Sequence, residues 1–254
     1  MVSETDLSRR SFVGIAAGLS TAAFLSGCAT TTAQPGKAPS ETSDYFFQTM
    51  AARSDVVSTV NFDAELTDWL PNRLFEIDGE TPRPLGAGLA VGRITKVAGG
   101  RGYVVGETDE AGEPVTFDSP DALWRTVDVV MSVARSWGEV ASGGTVQFGV
   151  AFGGNKDASR MIASLSSLET IVVALLRPGF FRYNPELYSV GRNGVLLGTV
   201  DNESGLHFPS LSASTDDDAD EEKKFLASVR TANDLESQAD KGRTVIQIKG
   251  GERI

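Results

Sequence analysis

Residues 145–152 read TVQFGVAF. Val146, Phe148, Val150 and Phe152 occupy alternate positions, with Thr145, Gln147, Gly149 and Ala151 between them. A period of two means a strand with one face buried. Just upstream, Val127, Val129, Met131 and Val133 alternate with Thr126, Asp128 and Ser132. A second such strand therefore precedes the first, and Gly143-Gly144 marks the turn between them. Downstream the period changes. Met161, Ile162, Leu165 and Leu168 fall on one face of a short helix, for which Asp157 is the expected N-cap. Residues 171–176 are continuously apolar, which predicts a fully buried strand stopped by Pro178-Gly179.

Further out, residues 89–97 read as a strand, with a bulge near Gly92. Gly99-Gly100-Arg101-Gly102 is expected to turn the chain, Tyr103-Val104-Val105 to return it, and residues 109–120 to form a polar loop. Residues 188–190 and 195–200 flank Arg192-Asn193-Gly194, a hairpin signal, and Leu206-His207-Phe208 adds a short strand. The order is strand, strand, strand, short helix, strand, hairpin strand. It predicts a mainly β fold: a small OB-like Greek-key barrel with its helix between the third and fourth strands. The rival is a β-sandwich with one crossover helix.

Helical extensions are expected at both ends. Asp44 is placed as the cap of a short N-terminal helix, and Leu66, Trp69 and Leu70 share one side of another. Pro71, Pro82 and Pro84 then punctuate a loop. At the other end, an acidic loop at 215–222 precedes a helix carrying Phe225, Leu226, Val229 and Leu235. Lys241-Gly242-Arg243 turns the chain into a last strand at 244–248. Residues 44–254 are thus expected to form a single β-rich domain. This body resembles small secreted bacterial β-barrel proteins, a resemblance that carries no site with it.

The 254 residues hold 34 Asp and Glu against 23 Lys and Arg, for a net charge of −11. Binding to a phosphate backbone rests on clustered basic residues, so no nucleic-acid partner is expected. The single Cys excludes an internal disulfide, and the single His leaves little for a His-based metal centre or relay. No metal and no cofactor are expected.

Residues 8–13, SRRSFV, precede a weakly apolar stretch that ends at Leu25 and contains Gly14, Gly18, Ser20 and Thr21. The stretch is shorter than the ~20 apolar residues that span a bilayer. Residues 25–28 are LSGC. This leader resembles that of bacterial lipoproteins exported by the twin-arginine route. The resemblance implies an export signal at Arg9, Arg10 and Phe12 and a lipobox at Leu25, Ser26 and Gly27. It further implies removal of residues 1–27 as signal peptide and attachment of a diacylglycerol, with palmitate-type chains, to the thiol of Cys28. The location implied is the extracytoplasmic face of the cell membrane. Residues 29–43, ATTTAQPGKAPSETS, hold no large apolar side chain, so residues 28–43 are expected to form a flexible, lipid-anchored tether.

Other candidates are read against plainer roles. His207 has Asp201 and Glu203 near it in sequence, and a hydrogen-bonded His at the barrel end is expected. Residues 201–205, DNESG, read as a turn. The acidic residues from Asp216 to Glu222 lack the Gly and Glu positions of a Ca²⁺ loop. Residues 153–159, GGNKDAS, lack the spacing of a phosphate-binding loop, leaving at most an anion site at the following helix. Trp69, Trp124 and Trp137 have no regular spacing that would make a sugar platform. Phe180, Phe181, Arg182 and Tyr183 follow the Pro-Gly stop and form the expected contact surface, since aromatics and Arg dominate binding hot spots. The alternative is that the two Phe rings plug the barrel. The expected role is a non-catalytic cell-envelope lipoprotein, an interaction or accessory module with an envelope protein partner. The alternatives are a glycan- or lipid-binding module and an envelope enzyme with a carboxylate site.

Overall fold

Alternation of apolar and polar residues produces long strands here, and their pairing closes a ring. The computed structural model describes residues 41–52, 66–105, 111–179, 184–212 and 228–248. The elements begin with helix α1 (Glu41–Ala51) and strand β1 (Arg73–Ile77), with a 3-10 turn at Leu66–Trp69 between them. Then come β2 (Gly88–Val105), β3 (Ala111–Thr116), β4 (Trp124–Gly138), β5 (Thr145–Gly153), α2 (Ala158–Ser166) and β6 (Thr170–Leu176). β7 (Tyr188–Val190), β8 (Leu197–Val200), β9 (Leu206–His207) and the single turn α3 (Pro209–Ser212) follow. The described chain ends with α4 (Ala232–Ala239) and β10 (Thr244–Ile248).

β2 pairs with β4, β4 with β5, β5 with β7, β7 with β6, and β6 with β2 again. The β5–β7 pairing is parallel and the others are antiparallel. One sheet closed on itself is a barrel, and helix α2 lies between its third and fourth strands in chain order. The mainly β, OB-like expectation therefore holds, and the sandwich alternative falls away. Val127, Val129, Met131, Phe148, Phe152 and all of residues 171–175 are fully buried in the interior, as the alternation and the apolar run require.

Several local expectations are corrected. Gly99-Gly100-Arg101-Gly102 is not a turn but the middle of the 18-residue β2, where a register shift absorbs the extra residues. Small residues stand there because neighbours come close: a Cβ on Gly99 would lie 2.7 Å from the Phe117 ring, and one on Gly102 2.7 Å from the Thr116 carbonyl. The expected polar loop at 109–120 contains β3, which pairs with the far end of β2. Residues 188–200 form no hairpin. β7 and β8 both pair with β6, and the 3-10 turn Gly191–Gly194 moves the chain along that one edge. The proline-punctuated stretch contains β1, which pairs in parallel with β10 as a separate two-stranded sheet. The last strand thus packs on β1 rather than joining the barrel ring.

Helix α1 begins at Glu41, inside the expected tether, and Asp44 lies within it rather than capping it. The helix is bound into the fold. Phe46 and Met50 are fully buried, and the Phe46 amide donates to Ser164 Oγ on α2 at 2.9 Å. Tyr45 Oη accepts from the Asp157 amide at 2.9 Å, and the Arg160 guanidinium lies 4.1 Å over the Tyr45 ring.

The expected C-terminal helix reaches Leu235 as α4, started by a capping box that the sequence reading did not single out. Thr231 Oγ1 accepts from the Asp234 amide at 3.2 Å, and Asp234 Oδ2 accepts from the Thr231 amide at 2.8 Å. Thr231→Ala removes one half of the box and is expected to cost about 1 kcal/mol in denaturant titration. A loss below about 0.2 kcal/mol would mean that the box does not hold α4.

Candidate functional site

Asp128 sits between Val127 and Val129, both buried in the barrel, so its side chain leaves the opposite face. Cross-strand partners on one face of a sheet stand side by side. The register gives a row across four strands: Ala98 on β2, Asp128 on β4, Gly149 on β5 and Ser189 on β7. The row is part of the outer face, yet Asp128 is half-buried and Ser189 is buried.

Asn184 organises this row. Its backbone is left-handed, with φ of 56°, a conformation Asn tolerates better than most residues. Its amide N–H donates to Tyr103 Oη at 2.7 Å, and its side-chain Nδ2 donates to Asp128 Oδ1 at 2.8 Å. Gly149 leaves the room: a Cβ there would lie 3.6 Å from Asn184 Nδ2, so a longer side chain would displace it. The Arg101 guanidinium is engaged by Glu186, at 3.2 Å and 3.4 Å to its two oxygens. Tyr103 and Ala151 form a small outer apolar cluster against which Trp124 packs, and Leu123 beside it is 53% exposed.

The rim is tied by Arg125, which the sequence reading passed over. Nε donates to the Phe117 carbonyl at 2.8 Å, Nη2 to the Ser119 carbonyl at 2.9 Å, and Nη1 to the Gly154 carbonyl. One guanidinium thus fastens the segment after β3 to the end of β5.

Burial pushes the Asp128 carboxyl above the usual carboxylate range, and the Asn184 hydrogen bond and the Arg101 charge oppose this only in part. A raised folded value means that this group's contribution to stability is complete below the ordinary aspartate value, about pH 3.9. The contribution is lost as pH rises through the raised value. Asp128→Asn keeps the shape and removes the charge. The variant is expected to melt above the wild type at pH 7, with the gap closing towards pH 3.5. A wild type that melts higher at pH 7 would contradict the burial argument. Asp128 is therefore a residue that the fold carries at a cost, which marks candidate functional positions.

Elsewhere, His207 is hydrogen-bonded as expected, its Nε2 lying 2.8 Å from Asp201 Oδ2. The His207 hydrogen bond, with the Gly205 and Glu203 amides, holds the Asp201 carboxyl below its usual range. Residues 201–205 are the expected turn, with Asp201 Oδ1 accepting from the Glu203 and Gly205 amides at 2.9 Å and 2.7 Å. Asp157 caps α2 and accepts from the Arg160 amide at 3.0 Å, so its own carboxylate stands where an anion would bind. The three Trp residues form no platform: Trp69 is in the core, Trp124 in the outer cluster, and Trp137 lies beneath the Arg135 guanidinium at 5.3 Å. Phe180, Phe181, Arg182 and Tyr183, Cys28 with its leader, and the acidic loop all lie outside the described residues.

No group of three or more His, Cys, Asp or Glu residues able to hold a metal occurs among the described residues. Among the same residues no helix is long and apolar enough to cross a membrane. No family model, curated protein or solved structure matches the chain. The site is therefore read from its own geometry.

Proposed function

We propose that the protein is a non-catalytic cell-envelope lipoprotein: a barrel domain held to the outer face of the membrane by lipid on Cys28. It works as an interaction module, meeting an envelope protein through the outer face of β4 and β5, with Phe180, Phe181, Arg182 and Tyr183 as further contact residues proposed from the sequence. The leader supports the location. The observation that supports the contact face is Asp128, a half-buried carboxylate displayed on an outer face beside a glycine and clamped by Asn184. Carboxylates on the outside of a barrel are ordinarily solvated, and this one is kept against its desolvation cost.

The anchoring half is tested by metabolic labelling with a clickable fatty acid. Wild type is expected to carry the label and Cys28→Ala to lack it, and equal labelling of both would overturn the anchor. Replacing Arg9 and Arg10 with Lys is expected to leave unprocessed precursor inside the cell, while normal processing would point to the general secretory route. A second reading, an enzyme built on a carboxylate, is favoured by the raised carboxyl of Asp128 alone. Hydrolytic activity that is lost in Asp128→Asn would replace the first reading with this one.

A further inference from the structure

Two sheets have four end strands among the described residues, and three of these are guarded. β9 is covered by the Gly205–Thr231 bridge and by the Leu206 amide, which donates to the Arg230 carbonyl at 2.6 Å. β1 is bridged on its outer side by Arg83, through Phe75. β3 carries Glu113 and Pro114, residues that discourage a further strand. β10 has no such guard. Its residues Thr244–Ile248 include no Pro and no charge, and among the described residues only β1 pairs with it. The Thr244 amide donates to the Asn72 carbonyl, and the Ile248 carbonyl accepts from the Asp78 amide. By alternation, Val245 and Gln247 turn their main-chain N–H and C=O groups to the open side. No residue of β10 is buried, although three of the five are Val or Ile. Val245, at 47%, is one of two large apolar side chains left exposed among the described residues. A lone two-stranded parallel sheet is marginal by itself.

We infer that β10 is completed by a second copy of this chain, the two β10 strands pairing antiparallel about a two-fold axis at Val245. This contact lies apart from the outer face of β4 and β5 and does not depend on the role given to that face. The edge complements itself. Val245 stands opposite the second copy's Val245, and Leu74 flanks each on β1, so an apolar row crosses four strands. In the same register Arg243 stands opposite the second copy's Gln247, whose neighbour on β1 is Glu76. The basic start of each β10 thus meets the acidic end of the other sheet. A parallel pairing would set Arg243 against Arg243. Ile248 falls opposite Gly242, around which the space is open. The assembly also stops at two copies, because each outer β1 is already bridged by Arg83. Five residues of edge pairing bury less than the ~1,200 Å² of a stable complex, so the dimer is weak in dilute solution. Concentrating the copies on one surface favours it.

The test uses the full chain carrying Cys28→Ser, concentrated in non-ionic detergent, so that the result is independent of the lipid anchor. Each added Cys is then the one thiol present. Facing residues of a hydrogen-bonded antiparallel pair lie about 5.5 Å apart at Cα, within disulfide reach. Val245→Cys is expected to form a disulfide-linked dimer on mild oxidation, at least tenfold more than Leu123→Cys, the other exposed apolar position. Arg243→Cys and Gln247→Cys chains are each expected to link poorly alone and readily when mixed. In sedimentation equilibrium without added Cys, Val245→Lys sets two like charges face to face and is expected to weaken association at least tenfold, with Tm unchanged because the residue is exposed. A Val245→Cys dimer no more abundant than that of Leu123→Cys would overturn the inference. So would Arg243→Cys and Gln247→Cys chains that link as readily alone as mixed, or association indifferent to Val245→Lys.

Discussion

Phe148→Ala is expected to lower stability by roughly 3–5 kcal/mol, the cost of emptying a large buried aromatic site. Phe148 is fully buried at the middle of β5, and its strand is held by β4 on one side and β7 on the other. The barrel cannot collapse onto the cavity without breaking one of those ladders. Gln147, the preceding residue, is exposed, and Gln147→Ala is expected to stay within about 0.5 kcal/mol. Urea titrations of the two variants measure the difference. Similar midpoints would mean that the strand faces the other way.

The second large effect is expected at Arg125. Arg125→Met keeps an unbranched apolar stem and removes every side-chain donor. The Phe117 and Gly154 carbonyls lose this donor at once, and the Ser119 carbonyl keeps only the Ala122 amide, at 3.2 Å. A polar group stripped of its hydrogen bond costs about 1–3 kcal/mol when water does not reach it. Water reaches part of this half-buried rim, so the expected loss is about 2–4 kcal/mol in the same titration. Amide exchange should accelerate in residues 117–123 and 153–156 rather than across the barrel. A loss below 0.5 kcal/mol, or protection lost evenly across the ring, would show that Arg125 does not fasten this rim.

The ring strands were legible wherever burial imposed a period. Val127 to Val133 are alternately buried, Val146, Phe148, Val150 and Phe152 are buried as their spacing requires although Gly149 and Ala151 between them are covered too, residues 171–176 are buried on both faces, and α2 begins at its expected cap. What escaped the sequence depends on distant neighbours. Glycines at 99, 100 and 102 signal a turn locally, but Phe117 beside Gly99, Thr126 and Asp128 beside Gly100, and Thr116 beside Gly102 are what demand small residues. β1 and β10 lie more than 160 residues apart, and no local signal links residues 73–77 to residues 244–248.

The site was hidden for a similar reason. Asp128 reads as one more polar residue on the solvated face of a strand, because its hydrogen-bond partner Asn184 lies far along the chain. The signal present was weak: an Asp set among Val127, Val129 and Val130, opposite a Gly rather than a polar partner. Arg125 left no signal, since its partners are main-chain carbonyls and carry no side-chain identity.

The proposed role places the meeting of the anchored domain and its partner at the outer face of β4 and β5. Site-specific photo-crosslinking in the intact, lipidated protein tests this directly. One probe replaces Leu123, 53% exposed at the rim of that face, and a control probe replaces Val245, 47% exposed on the separate two-stranded sheet. One discrete adduct with the partner protein is expected from position 123, absent from position 245 and lost when Asp128→Asn is added. Partner-protein adducts of equal yield from both positions, or an adduct at 123 indifferent to Asp128→Asn, would contradict this role.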